Sequence, residues 1–367
     1  MFFYIGKNCQ LLTQVIEGLF LDSGWTQQDN VWFKGYSTEC DISKNVQSII
    51  DGYQPRGIWA LIHETNNQFV VKHSELRGFP LFKNNADETT NIPNLNGFEF
   101  APCSINWSTN YSTLSLDEVV NRVAAILLEN VEGVMKYNSI DRMTVLATGG
   151  LDSTVAWATI ESVAPYVLVR CSPTSNTREY SSPLIQYMNT NHWSYGIINL
   201  YDKINWNLTG FAAEAMTIRR PDMFNTICRF TGTTIDALID SNDYMYYFMQ
   251  RPSWKKIFNE QHHSVDNLHE KLLSQIDVDY YMWHIDQNFH VSPFYDKRIA
   301  ETCVRLSMTD LIENCKNGTV EKLVLQKIRP DFVSLISQYK NYGRVMENFD
   351  KNVANLQLKG FDNKFNP

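Results

Sequence analysis

From Thr144 to Ala158 the chain reads Thr-Val-Leu-Ala-Thr-Gly-Gly-Leu-Asp-Ser-Thr-Val-Ala-Trp-Ala. An apolar, β-prone run from Met143 to Ala147 breaks at Gly149 and Gly150. Ala, Val and Trp then recur at helical spacing between Ser153 and Ile160. The glycines therefore fall where a strand turns into a helix, and they allow the backbone to approach a ligand closely. Amide groups at the helix start, with the hydroxyls of Thr148, Ser153 and Thr154, form a cradle for the phosphates of ATP, and the positive end of the helix dipole adds attraction. Asp152 does not suit an anion by itself. It does suit Mg²⁺, which takes one or two carboxylates together with phosphate oxygens. No Gly-x-x-x-x-Gly-Lys-Ser/Thr is present, so this is not the Walker type of phosphate loop. The plainer alternative is a tight βα turn with Asp152 as a helix cap.

The stretch resembles the Ser-Gly-Gly-x-Asp-Ser signature of the PP-loop ATP pyrophosphatases, which cut ATP to AMP and pyrophosphate while activating a substrate. Thr148 stands at the family's Ser and keeps the hydroxyl. Three further stretches resemble the asparagine synthetases within that group. Thr231 to Ser241 is similar to their Gly-Glu-Gly-x-Asp-Glu-Leu-Phe-Gly-Gly loop, with Gly232, Asp236 and Leu238 matching. His290 to Ala300 resembles their Arg-Val-Pro-Phe-Leu-Asp-x-Arg segment, and Val320 to Leu325 their Lys-x-x-Leu stretch. The resemblance implies nucleotide contacts from Thr148, Gly149, Gly150, Leu151, Asp152, Ser153, Thr154 and Gly232. It also implies Mg²⁺ held by Asp152 and Asp236, and Lys322 neutralising charge on phosphate and acyl oxygen, a task suited to an ammonium. A solvated surface lysine beside Glu321 and Lys327 is the alternative for Lys322. Arg170, at the end of the second expected strand, is placed on the adenosine side by position alone.

The N-terminal third agrees with this domain order. Gly57 to Ile62 and Phe69 to Phe82 read as two strands joined by a polar turn and followed by a Gly/Pro bend. They resemble stretches of the glutaminase-like domain that precedes the synthetase domain in the family. Two departures bear on activity. The family's glutaminase uses an N-terminal Cys whose own α-amino group serves as base, whereas here Phe2 follows Met1 and the first cysteine is Cys9. The domain is expected not to hydrolyse glutamine, as in the amidotransferase-like domain of β-lactam synthetase. Thr233 and Ala237 replace the two Glu residues of the synthetase loop, and a hydroxyl of very high pKa cannot act as a base near neutrality. Glu214, Tyr244 and His284 are the candidate replacements.

The expected fold is α/β, with a parallel-sheet PP-loop (adenine nucleotide alpha hydrolase-like) synthetase domain over 113–345. A small, mostly β, Ntn-hydrolase-like remnant over 1–112 precedes it, and a tail over 346–367 follows. Ser104 to Ser115 is the expected linker, and Ser115 caps a helix through Val131 that is followed by Gly133. Strand 144–147, helix 153–162, strand 166–170, helix 181–189 and strand 193–200 alternate as in a parallel sheet. Cys228 to Phe230 is expected to lead, as a strand, into the Gly232 loop. Aromatic residues at 244–249 and 280–284 suit either a substrate pocket or, more commonly, helix packing.

Composition sets limits. The chain has 367 residues, 44% of them hydrophobic, enough for two domains with a sizeable core. Lys plus Arg is 32 against 40 for Asp plus Glu, so the net charge of −8 disfavours nucleic acid as a partner. No segment reads as a membrane span or signal peptide. Seven cysteines without Cys-x-x-Cys suit free thiols in the cytoplasm. No histidine spacing suits zinc, and His262, His263 and His269 read as solvated. The function expected is an ATP-dependent ligase that adenylates a small-molecule carboxylate and passes the acyl group to ammonia or an amine, with homo-oligomers compatible. The alternatives are another PP-loop activation chemistry and a catalytically impaired homologue serving as a binding or structural component.

Overall fold

The computed structural model describes residues 2–7, 9–92, 95–108, 111–138, 140, 143–147, 150–164, 168–171, 206–241, 243–249, 266–276 and 289–335. The expected helix 181–189, strand 193–200, His262, His263, the aromatic run 280–284 and the tail 346–367 lie outside these residues.

Among the described residues the N-terminal part has ten strands: β1 (Phe3–Ile5), β2 (Thr13–Ile16), β3 (Leu19–Leu21), β4 (Thr26–Gln28), β5 (Val31–Ser37), β6 (Gly57–Thr65), β7 (Gln68–His73), β8 (Phe82–Lys83), β9 (Thr89–Thr90) and β10 (Glu99–Phe100). They form two antiparallel sheets, one in the order β10-β8-β9-β1-β3-β2 and the other β4-β5-β6-β7. The polar turn expected after β6 is a two-residue hairpin in which Asn66 and Asn67 both have positive φ, the geometry that matches strand twist. The following strand ends at His73, ahead of the expected Gly/Pro bend at Gly78 and Pro80. Alternation along β6 divides its side chains between two cores. Ala60 and Ile62 meet Phe3, Leu19 and Leu21 of the facing sheet, while Trp59 and Leu61 meet Ile42 and Ile49, the latter on α1 (Val46–Ile50).

Chain 101–108 and 111–113 has no regular structure, but it is tied down where a loose linker is expected. The Ser108 amide donates to Glu301 (2.7 Å), Arg305 donates to the Ser112 carbonyl (2.7 Å), and Leu114 pairs with Leu306. Helix α2 (Leu116–Tyr137) then opens on a capping box between Ser115 and Glu118. It runs through Gly133 instead of stopping there. A Cβ on Gly133 would lie 2.0 Å from the Thr38 carbonyl oxygen, so this glycine serves close packing on the N-terminal part.

Among the described residues a four-stranded parallel sheet follows, made of β11 (Thr144–Ala147), β12 (Leu168–Cys171), β13 (Trp206–Leu208) and β14 (Phe289–Val291), in the order β12-β11-β13-β14. Around it lie α3 (Leu151–Val163), α4 (Ala213–Met216), α5 (Pro221–Thr231), α6 (Ile235–Leu238), α7 (Tyr244–Met249), α8 (Leu268–Ser274), α9 (Lys297–Cys303), α10 (Met308–Asn317) and α11 (Thr319–Ile328). Among the described residues the chain is thus mixed α/β, with two antiparallel sheets and one parallel sheet. The strand expected at Cys228 to Phe230 is absent: these residues belong to α5, which starts at Pro221 and ends on Gly232 in the left-handed conformation. His269 is not simply solvated either, since its ring stacks on Tyr111 at 4.7 Å.

Candidate functional site

β11 has β12, the next strand in the described chain, on one side and β13 on the other, so the direction of winding reverses there. In open α/β sheets a ligand crevice forms beyond the carboxyl ends of the strands at such a reversal. Gly150, past the end of β11, is the N-cap of α3 and, as a glycine, brings no side chain of its own to cap that helix. Thr148 and Gly149 lie outside the described residues. The loop leaving β13 crosses the same helix start. A Cβ on Gly210 would stand 2.3 Å from the carbonyl carbon of Asp152 and 2.5 Å from the amide nitrogen of Ser153, so only glycine permits this contact.

Two of the three hydroxyls expected to face phosphate, those of Ser153 and Thr154, bond within the turn. Ser153 Oγ donates to the Gly150 carbonyl at 3.1 Å and Thr154 Oγ1 to the same oxygen at 2.7 Å. Leu151 is buried in the core. Asp152, in the first turn of α3, keeps 28% of its side chain exposed and accepts a hydrogen bond from Arg219 Nη2. Arg219, only 2% exposed, also donates through Nε to Glu321 Oε1 (2.8 Å) and through Nη2 to Glu321 Oε2 (3.0 Å). Its Nη1 lies 3.5 Å from Glu214 Oε1. Thr217 Oγ1 completes the cluster by donating to Glu321 at 2.7 Å.

The turn that aims Arg219 is strained and firmly held. Ile218 has φ 55°, a left-handed conformation that β-branched residues rarely adopt. Asn314 Nδ2 donates to the Thr217 carbonyl at 2.6 Å and the Cys315 thiol to the Ile218 carbonyl at 3.0 Å. Strain of this kind persists only where the surroundings over-determine it.

Three carboxyls thus meet one guanidinium. Burial pushes Asp152 well above the usual carboxylate range; Arg219 opposes this, and Glu321 and Glu214 add to it. Burial also disfavours charge on Glu321, but Arg219 and the hydrogen bonds from Asp152, Arg219 and Thr217 hold it below the usual range. Lys322, half-buried on α11, is lowered by burial and by Arg219, against the pull of Glu313 and Asp243.

The other expected site residues are not gathered here. Gly232 is the C-cap of α5, and Asp236 is exposed in the first turn of α6. The 11 residues of α5 carry the chain about 16 Å along the helix away from Arg220. Among the described residues no hydrogen bond or ion pair joins Asp236 to Asp152, and no group of three His, Cys, Asp or Glu is arranged to hold a metal. With Arg219 on Asp152, these residues do not fit a Mg²⁺ ion held by Asp152 and Asp236. The backbone of Arg170 pairs with Leu146 in the sheet, one residue from the carboxyl end of β12. Of the three candidate bases, Glu214 joins the cluster; His284 and the side chain of Tyr244 lie outside what is described.

Sequence reasoning passed over Arg219 and gave Glu321 no role. A signal for Glu321 exists: it lies on the face of α11 that carries Val324 and Leu325, where an acidic residue needs a buried partner.

No protein-family profile matches the chain, and no curated protein sequence is detectably similar to it. No described helix is long and apolar enough to cross a membrane.

Proposed function

We propose that the chain is an ATP-dependent ligase of the PP-loop, asparagine synthetase-like kind, without glutaminase activity. A substrate carboxylate oxygen attacks the α-phosphorus of ATP and pyrophosphate leaves. The nitrogen of ammonia or an amine then attacks the acyl carbon, AMP departs and the amide loses a proton. The observation that carries this reading is the start of α3 on a glycine, Gly150, beyond the carboxyl end of β11 where the strand order reverses. The close passage of Gly210 gives the crevice a backbone wall, and Lys322 supplies an ammonium near the cluster. Any Mg²⁺ would have to come with the nucleotide, where it would supply positive charge against the phosphates. Arg170 is assigned to the adenosine side.

The test is calorimetry of Mg·ATP binding to the intact chain, followed by a screen of carboxylates and amines for AMP release. Lys322→Ala is expected to keep nucleotide binding and lower AMP release by about 100-fold or more, the scale of losing one transition-state charge contact. An intact chain that binds no ATP sinks the reading. The pairing of Asp152 with Arg219 favours one second reading, a nucleotide-binding component without catalysis. Binding of ATP with no AMP release for any acid selects it.

A further inference from the structure

A cavity of about 270 Å³ lies between the end of α5, the start of α8 and the start of α10. Ten helical steps, about 15 Å along α5, separate its lining residue Phe230 from Arg220 beside the crevice. The floor is apolar, since Leu268, Leu306 and Leu311 line it and none is more than 5% exposed. Phe230 instead leaves 43% of its surface in water, and Asp266, which also lines the cavity, is exposed. Among the described residues no hydrogen bond or ion pair engages the Asp266 carboxylate. Its polar neighbours are committed as helix caps: Asn267 accepts from the Glu270 amide at 3.2 Å, and Ser307 donates to Asp310 at 2.6 Å. Glu270 and Asp310 stand in the first turns of α8 and α10, where they offset the positive helix ends. His269 stacks on Tyr111, and burial lowers its pKa, so it is uncharged at neutral pH. Burial raises the Tyr111 hydroxyl and the charges of Glu270 and Glu301 raise it further, which marks these surroundings as negative. Among the described residues that line the cavity none is Lys or Arg, and Arg305, next to Leu306, is bonded to Ser112 at 2.7 and 2.6 Å. An apolar floor, an exposed ring and an unpaired carboxylate suit a cation with an apolar body, because a ring face and a carboxylate both attract positive charge. We propose that this cavity is a second ligand site, distinct from the crevice, that takes a small organic ammonium ion whose charge meets Asp266 and whose apolar body covers Phe230 and the leucines.

The assignment does not rest on the nucleotide reading, and no nucleotide is needed to test it. At about 30 Å³ for each water-sized group the cavity holds roughly nine heavy atoms, the size of 2-phenylethylammonium, which is the probe. Calorimetry of the intact chain is expected to show saturable binding with a Kd on the order of 1 mM, the range open to a ligand of that size. 2-Phenylethanol has the same shape without the charge and is expected to bind about fivefold more weakly, the scale of a partly exposed charge contact. Phenylacetate, of opposite charge, is expected not to bind. Asp266→Asn is expected to bring the ammonium down to the affinity of the alcohol. Thr113→Trp puts a large ring on the cavity from an exposed lining position and is expected to abolish binding. An intact chain that shows no saturable binding of the ammonium up to about 10 mM overturns the assignment. So do equal affinities for the three probes, an Asp266→Asn chain that keeps the parent's affinity for the ammonium, and a folded Thr113→Trp chain that still binds it. If Thr113→Trp does not fold, Phe230→Ala, which trims an exposed ring, takes its place: a loss of about threefold or more supports the site, the scale of one cation–ring contact, and a smaller loss overturns it.

Discussion

Glu321 and Arg219 depend on each other because neither could be buried alone. Glu321 is 0% exposed and accepts three hydrogen bonds from Arg219 and Thr217. Removing one partner of a buried pair leaves the other charged, desolvated and without compensation. Glu321→Ala is therefore expected to lower stability by about 3 kcal/mol or more, read by urea denaturation. Replacing both partners with apolar residues, as in Arg219→Met with Glu321→Leu, is expected to cost distinctly less. A Glu321→Ala chain within about 1 kcal/mol of the parent contradicts the account, because that is the range of an exposed pair. The contrast with Gly150 explains what could be read from the chain. The strand, turn and helix around Gly150 are local features and appear directly in the residue pattern. Arg219 finds Asp152 across 67 positions and Glu321 across 102. The run Ile-Arg-Arg-Pro at 218–221 resembles a surface basic pair until the fold brings those carboxyls to it.

The helices show where periodicity and motif likeness compete. Ser115 and Glu118 mark the start of α2 in the sequence, and the helix begins there. In α5, Met223, Phe224, Ile227 and Cys228 form a helical apolar stripe between Pro221 and Gly232, and that stripe prevails over the strand suggested by likeness to a family loop. The ends of α3 and α11 are joined by a pair that sequence spacing could not show. Glu161 of α3 is 10% exposed, and its Oε2 lies 2.7 Å from Arg329 Nη1, just past α11. Burial raises Glu161 to about 7 despite Arg329, with Asp331 adding to the rise. The folded chain therefore holds a proton that the unfolded chain releases nearer 4.5. The stabilisation from this group is complete below that value and is lost as pH rises through about 7. Denaturation midpoints at about pH 5 and about pH 8 are expected to converge in Glu161→Gln relative to the parent, since the amide cannot titrate. An unchanged slope in the variant would assign the pH dependence to other groups.

The N-terminal β layers and the α/β part share a core, although the composition of 104–115 suggests a boundary near residue 112. Tyr36, Ile58 and Leu76 belong to the same buried cluster as Val119, Val123 and Leu127 of α2. Asn138 accepts from the Ser37 amide at 3.3 Å and donates to the Ser37 carbonyl at 2.8 Å, across 101 positions. Arg56 bonds Glu129 at 2.6 Å and Glu39 at 2.9 Å, while Arg298 reaches Glu129 at 2.9 Å from the other side. A polar stretch marks where the chain crosses from one part to the other, but it carries no information about how much apolar surface the two parts hide from water. Multi-domain chains commonly unfold in several steps, and a chain of 367 residues invites that expectation. The shared cluster opposes it, because melting either part first would expose apolar surface of the other. Scanning calorimetry of the intact chain is therefore expected to show one transition. A fragment of residues 1–112 is expected to bind a hydrophobic dye, through the exposed Tyr36, Ile58 and Leu76, and to lack a cooperative melt. Two separated transitions, the lower or upper one reproduced by the fragment, would show instead that the β layers fold by themselves and that residue 112 is a true domain boundary.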